Sequence, residues 1–310
     1  MQNEYVKSFK KLTIEKMFKN KINHWLKSFS DEQKELVELL KNNVIITGGA
    51  IASCLMGETP NDYDIYLKDK DVAIKLAEYY TSKIPDNKNG ISMRNSITRN
   101  EDGVKINIKS VGAAGEEIDL ESYRYFEFND TSGQAVEEFV TQQAASTNNG
   151  KYTALLISSN AITLSDDVQV IFRFVGDPEI IHSNYDFIHT TNYWTLETGL
   201  ILNMPAVEAT ITKELVYSGS KYPICSLFRI RKFIKRGWTI KASEVFKIAW
   251  DINKLDLDDI LVLQDQLCGV DQNYFNEVIN ILKKEHNFDK PLDRTYIFNL
   301  MDKIFRETSD

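Results

Sequence analysis

The chain has 310 residues, of which 43% are apolar, 11% aromatic and 26% charged, with 14 Gly and 6 Pro. These proportions exclude a disordered, collagenous or low-complexity protein and suffice for a sizeable core. No apolar run approaches the roughly 18 residues of a membrane span, and Lys and Glu interrupt the first residues too often for a signal peptide, so a cytoplasmic protein with no membrane partner is expected.

In chain order, Leu12, Ile14, Met17, Phe18, Ile22, Trp25 and Leu26 recur at spacings of three and four, the mark of an amphipathic helix. Ser30-Asp31 reads as the cap of a second helix. Val44 to Thr47 (VIIT) is short and β-branched, and Gly48-Gly49 halts it, so it is a predicted strand entering a glycine turn. A short helix follows and ends at Gly57. Asp62 to Leu67 (DYDIYL) alternates with period two as a half-buried strand does, and Asp71 to Lys83 is helical again. Between about Gly103 and Tyr193 the pattern is strands (VKINIKS, EEIDLESYRYF, YTALLIS, VQVIFRFV, YDFIHTTNYW), with one helix at SGQAVEEFVTQQAAS. After Pro205 the pattern is helical almost to the end. A mixed sheet followed by a helical part is the expected architecture.

Charge is uneven along the chain. The net value is −8, yet residues 215–243 hold seven basic side chains (Lys221, Arg229, Arg231, Lys232, Lys235, Arg236, Lys241) and no acidic one, so a local phosphate-facing surface is expected. Three cysteines (Cys54, Cys225, Cys268) and four histidines (His24, His182, His189, His286) are scattered, and no pair has metal-ligand spacing.

Chemistry concentrates in Ile46 to Leu67. Residues two apart on a strand face one side, so Asp62 and Asp64 project together. Two adjacent carboxylates repel unless a cation lies between them, and a hard divalent ion such as Mg²⁺ takes oxygen ligands. Upstream, the helix opened by Gly48-Gly49 offers free N–H groups and a positive dipole end to phosphate.

This segment resembles the nucleotidyltransferase signature of the DNA polymerase beta superfamily: an apolar strand, Gly-Gly, then a strand carrying Asp-x-Asp. It is most similar to tRNA CCA-adding enzymes and bacterial poly(A) polymerases, through Leu55-Met56-Gly57, Pro60 and Asp62-Tyr63-Asp64. The resemblance implies an α+β, nucleotidyltransferase-fold mixed sheet with flanking helices, followed by an all-α C-terminal domain. The expected division is an N-terminal helical segment over 1–33, a catalytic domain over 34–203 and a helical domain over 204–310. It implies Mg²⁺ or Mn²⁺ on Asp62, Asp64 and a third carboxylate from a neighbouring strand, either Asp119 or Glu121 of EEIDLESYR, or Asp186, which a likeness to viral and phage-type members prefers. Thr47, Gly48 and Gly49 would hold the β- and γ-phosphates of an NTP. Ser226 to Ile240 is similar to the Arg-rich helix after the catalytic domain of the CCA-adding group, which implies nucleotide or RNA contacts for Lys221, Arg229 and Arg231.

The implied reaction moves a nucleoside monophosphate from an NTP to a hydroxyl and releases pyrophosphate. The chain departs from the CCA-adding pattern in having Ala52-Ser53 where an Arg-Asp pair is usual, and in lacking a clear Glu-Asp-x-x-Arg set. The acceptor therefore stays open between RNA or a tRNA 3′ end and a protein or small molecule. A non-catalytic nucleotide-binding or structural module is the rival from another class.

Overall fold

The first helix, α1 (Gln2–Leu26), turns one apolar stripe inward. Ile14, Phe18, Ile22, Trp25 and Leu26 are buried, while Leu12, off the stripe, stays exposed. This is seen in a computed structural model that describes residues 2–83, 93–110, 151–157 and 160–257, with isolated positions between 259 and 302. The predicted EEIDLESYRYF strand with Asp119 and Glu121, the SGQAVEEFVTQQAAS helix and Cys268 lie outside the described residues, as do most of the helices expected after Leu255.

A 3-10 turn (Asp31–Gln33) leads into α2 (Lys34–Asn43), which buries Leu36 and Leu40. Ser30 stands at the expected cap position, but its side chain makes no capping bond. Strand β1 (Val44–Thr47) is buried throughout. Helix α3 (Gly49–Met56) begins after Gly48 and ends at Gly57, whose left-handed conformation is the usual stop. Strand β2 (Tyr63–Leu67) precedes α4 (Lys70–Thr81), where the Asp69 carboxylate accepts from the Asp71 and Val72 amides.

A hairpin of β3 (Met93–Arg99) and β4 (Val104–Ser110) forms a separate two-stranded sheet, and its Val104 and Ile106 join the same hydrophobic core. The chain continues through β5 (Ala154–Ile157), β6 (Ala161–Leu164), β7 (Val168–Val175), α5 (Pro178–His182), β8 (Tyr193–Thr195), β9 (Gly199–Ile201) and α6 (Met204–Thr212). Among the described residues seven strands form one mixed sheet in the order β5-β6-β7-β2-β1-β8-β9, and β2 with β7 is its one parallel pair.

Alternation sorts the faces of this sheet. Val44, Ile46, Tyr63, Ile65, Val168, Val170, Ile162, Leu164 and Trp194 belong to the hydrophobic core, together with the buried side chains of α1, α2 and α4. The Phe18 ring meets Tyr63 and Trp194 edge-on, with centroids 5.9 and 6.0 Å away. Trp25 donates its indole N–H to the Tyr80 hydroxyl at 2.9 Å, which satisfies the one polar atom of a fully buried ring.

Two compact units divide the chain, residues 1–182 with 190–207 and residues 183–189 with 208–310. The second holds β10 (Glu214–Leu215), α7 (Pro223–Lys235), β11 (Thr239–Ile240) and α8 (Ala242–Ile252), so a two-residue parallel ribbon accompanies its helices. Its core includes a ring cluster in which His189 lies 4.8 Å from Phe233 and 4.5 Å from Trp238. YDFIHTTNYW does not form one strand. Asp186 lies in a bend, Phe187 forms an isolated bridge with Tyr217, Ile188–Thr190 is a 3-10 turn, and the sheet resumes only at Tyr193. Carbonyls in the interval are turned aside to accept from Thr47 and Gly48, and a straight strand could not supply them there.

Candidate functional site

The face of the sheet opposite α1 carries a polar row. Because Tyr63 and Ile65 point into the core, Asp64 points the other way. In the parallel register Asp64 pairs with Gln169, and Gln169 pairs with Thr163 of β6. One step beyond the Ile46–Ile65 pair, Thr47 comes opposite Asp64, and Thr47 pairs in turn with Tyr193. Thr163, Gln169, Asp64, Thr47 and Tyr193 thus run across five strands.

Asp62 is exposed at the entry to β2, and Asp64 is partly buried. Burial, reinforced by the Asp62 charge, pushes the Asp64 carboxyl up to about 7. Among the described residues no cation or hydrogen-bond donor meets either carboxylate. A divalent ion fits this pair chemically: it takes oxygen ligands and relieves the repulsion that raises the Asp64 pKa.

The glycine turn lies beside this row. Thr47 is fully buried, with its hydroxyl 2.8 Å from His182 Nε2 and donating to the Asn192 carbonyl at 2.8 Å. The Gly48 N–H donates to the Thr190 carbonyl at 3.1 Å. Two of the three expected phosphate donors, the Thr47 hydroxyl and the Gly48 N–H, are therefore engaged inside the fold, where they hold the turn. Gly48 at the N-cap of α3 makes no side-chain capping bond, and free amides at such a helix end are of the kind that can face an anion.

Gly48 has φ +89° and ψ −147°, a conformation that costs an L side chain about 1–3 kcal/mol. At Gly49, by contrast, an added Cβ meets nothing within 4 Å. Gly48→Ala should lower stability by that amount in urea unfolding, whereas Gly49→Ala should change it by less than about 0.5 kcal/mol.

Burial pushes His182 down to about 4, so the ring is neutral near pH 7. The unfolded chain takes up a proton near the ordinary histidine pKa of about 6.5, which the folded chain refuses, so stability is lost as pH falls from about 6.5 toward 4. His182→Gln should lose about 1–2 kcal/mol less than the wild type between pH 7 and 4.5, allowing for solvent screening, as measured by melting at each pH.

Asp186 has a different setting from the one expected. It belongs to the second unit, is buried, and accepts from Arg229 Nη1 at 2.6 Å through Oδ2. Among the described residues no three His, Cys, Asp or Glu side chains gather at a possible metal centre. The Arg229 guanidinium is thereby committed to Asp186. Lys221 is exposed and Arg231 half-buried, both in the second unit. Lys241 meets Glu214 at 2.5 Å, so acids from outside the basic stretch neutralise part of it. Burial raises the Cys54 thiol to about 11, away from the thiolate form that a nucleophilic cysteine uses.

Sequence reasoning missed His182 and Gln169. Alternation in VQVIFRFV could have placed Gln169 on the face opposite Val168 and Val170, but nothing local says which strand lies beside it.

Among solved structures the chain is similar to the Thermotoga maritima CCA-adding enzyme complexed with tRNA_CCA, at 12% identity and TM-score 0.38 over 86% of this chain and 54% of that one. It is also similar to the Bacillus stearothermophilus CCA-adding enzyme in complex with CTP, at 10% identity and TM-score 0.36 over 81% of this chain and 49% of that one. The chain thus spans about half the length of these neighbours. No curated protein matches its sequence. The family model described as Gabija anti-defense 2 family protein matches residues 16–213. That stretch takes in the C-terminal part of α1, the seven described strands of the main sheet and the Asp62–Asp64 pair, and stops short of α7. With more than half of its length matched, including the whole polar row, the chain belongs to the Gabija anti-defense 2 family.

Proposed function

We propose that this chain is a metal-dependent nucleotidyltransferase that moves a nucleoside monophosphate from an NTP to an acceptor hydroxyl and releases pyrophosphate. The observation that carries this reading is the Asp62–Asp64 pair, which among the described residues meets no cation or donor, one strand away from a glycine turn that opens a helix without a side-chain cap. Asp62 and Asp64 would hold Mg²⁺ or Mn²⁺, which when bound neutralises triphosphate charge and lowers the pKa of the attacking hydroxyl. The N-terminal amides of α3 receive the β- and γ-phosphates, and the Thr47–Gly48 bonds hold that helix end in place. Asp186 stays outside the ligand set in this reading, because Arg229 already balances its charge.

The family's name ties its members to countering a defence called Gabija; in our reading nucleotidyl transfer is the means. Exposed Lys232, Lys235 and Arg236 support an RNA acceptor, such as a tRNA 3′ end. A protein or small-molecule acceptor is favoured by a different observation, the neutralisation of Arg229 and Lys241 by Asp186 and Glu214. Incubating the protein with each labelled NTP and Mg²⁺ or Mn²⁺, with and without RNA, tests the reading. Label transfer with pyrophosphate release supports it, and the labelled product identifies the acceptor. NTP binding without transfer to any acceptor would make the chain a nucleotide-binding module instead.

A further inference from the structure

We infer that Gln169 supplies an uncharged third oxygen ligand to the cation held by Asp62 and Asp64. The inference rests on the cation reading above and goes beyond it, since neither the charge pattern nor the family match singles out this glutamine.

Three observations place it. First, the parallel register of β2 and β7 sets Asp64 and Gln169 side by side, and neighbouring strands lie about 4.8 Å apart. Second, both residues are flanked by core side chains, Tyr63 and Ile65 on one strand and Val168 and Val170 on the other, so the carboxylate and the amide share the opposite face. Third, the Gln169 amide nitrogen donates to the Thr163 hydroxyl at 3.2 Å on the far side from Asp64. That bond fixes the amide plane from the β6 side. Its other polar atom, Oε1, has no hydrogen-bond donor among the described residues.

The chemistry follows from the donor set. Hard divalent ions accept amide carbonyl oxygens as readily as carboxylates, but each neutral ligand contributes less affinity than a charged one. Two carboxylates and an amide balance a divalent ion to zero net charge, whereas three carboxylates would leave an excess negative charge facing a triphosphate. The site is accordingly built for modest cation affinity and low repulsion toward a polyanionic substrate.

The test uses the full chain and Mn²⁺ alone, with free Mn²⁺ read by electron paramagnetic resonance and inner-shell water by proton relaxation. Gln169→Leu, close in volume, should weaken Mn²⁺ binding about tenfold and raise the relaxation enhancement per bound ion, because water takes the vacated position. Gln169→Glu should tighten binding by a similar factor. Thr163→Val, which releases the amide without touching the ligand atom, should weaken binding by less than Gln169→Leu does. Melting curves confirm that each variant is folded, and the gain expected of Gln169→Glu cannot arise from misfolding. Unchanged affinity in both Gln169 variants, with loss in Asp64→Asn, overturns the inference and leaves the two-carboxylate reading standing. Absence of Mn²⁺ binding by the wild type overturns both.

Discussion

Asp64→Asn should eliminate the proposed nucleotidyl transfer, by a factor of about 10³ or more, and at the same time make the metal-free fold more stable. Metal catalysis supplies several kcal/mol of transition-state stabilisation, and each 1.36 kcal/mol or so is tenfold in rate. The gain in stability comes from the same carboxylate. Burial and the Asp62 charge hold the Asp64 carboxyl at about 7, so the folded chain keeps a proton that the unfolded chain has already released. Stability is therefore lost as pH rises from the ordinary carboxylate range toward 7. The asparagine carries no such cost, and in EDTA at pH 8 it should be about 1–3 kcal/mol more stable than the wild type. Asp62→Asn separates the two effects. Its carboxylate is exposed, so activity should fall as far with little change in melting temperature. Both variants retaining wild-type transfer at saturating Mg²⁺ would remove the carboxylate pair from the chemistry.

Phe18→Ala should cost about 3–5 kcal/mol, measured by urea unfolding. The ring is fully buried and meets Tyr63 and Trp194 edge-on, so its removal opens a cavity under β2 and β8. Leu12→Ala, on the exposed side of the same helix, should change stability by less than about 0.5 kcal/mol. A small effect at Phe18 would show that α1 is an appendage, not part of the sheet's core.

Much of this was legible where the information is local. Spacings of three and four in α1, the β-branched run of β1, Gly57 as a helix stop and the alternation of DYDIYL each reflect a preference fixed within a few residues. The helix after DYDIYL starts a residue earlier than its apolar pattern suggests, because Asp69 caps it through its carboxylate.

What could not be read was pairing. Nothing near Asp64 says that β7 lies beside it, and nothing near Arg229 says that Asp186 neutralises it. The absence of acids between 215 and 243 was real in sequence, yet Asp186 and Glu214 arrive from outside that window. Asp186 itself looked like a strand residue because its neighbours are apolar and aromatic, but Phe187 and His189 bury their rings against Phe233 and Trp238 rather than in a sheet.

The strand order has a consequence for when this protein can act. β1 lies between β2 and β8, and β2 lies between β1 and β7, so the polar row joins segments that leave the ribosome about a hundred residues apart. Such long-range pairing delays folding until the later partner exists. At synthesis rates of roughly 5–20 residues per second, many seconds separate the appearance of Asp64 from that of Tyr193. A nascent chain exposing Asp62 and Asp64 has no Gln169 beside them and no Asn192 carbonyl to anchor Thr47. In our reading the site is thus assembled only by completion of the sheet, and a chain cut off before β8 should lack both the polar row and the core strands that carry it.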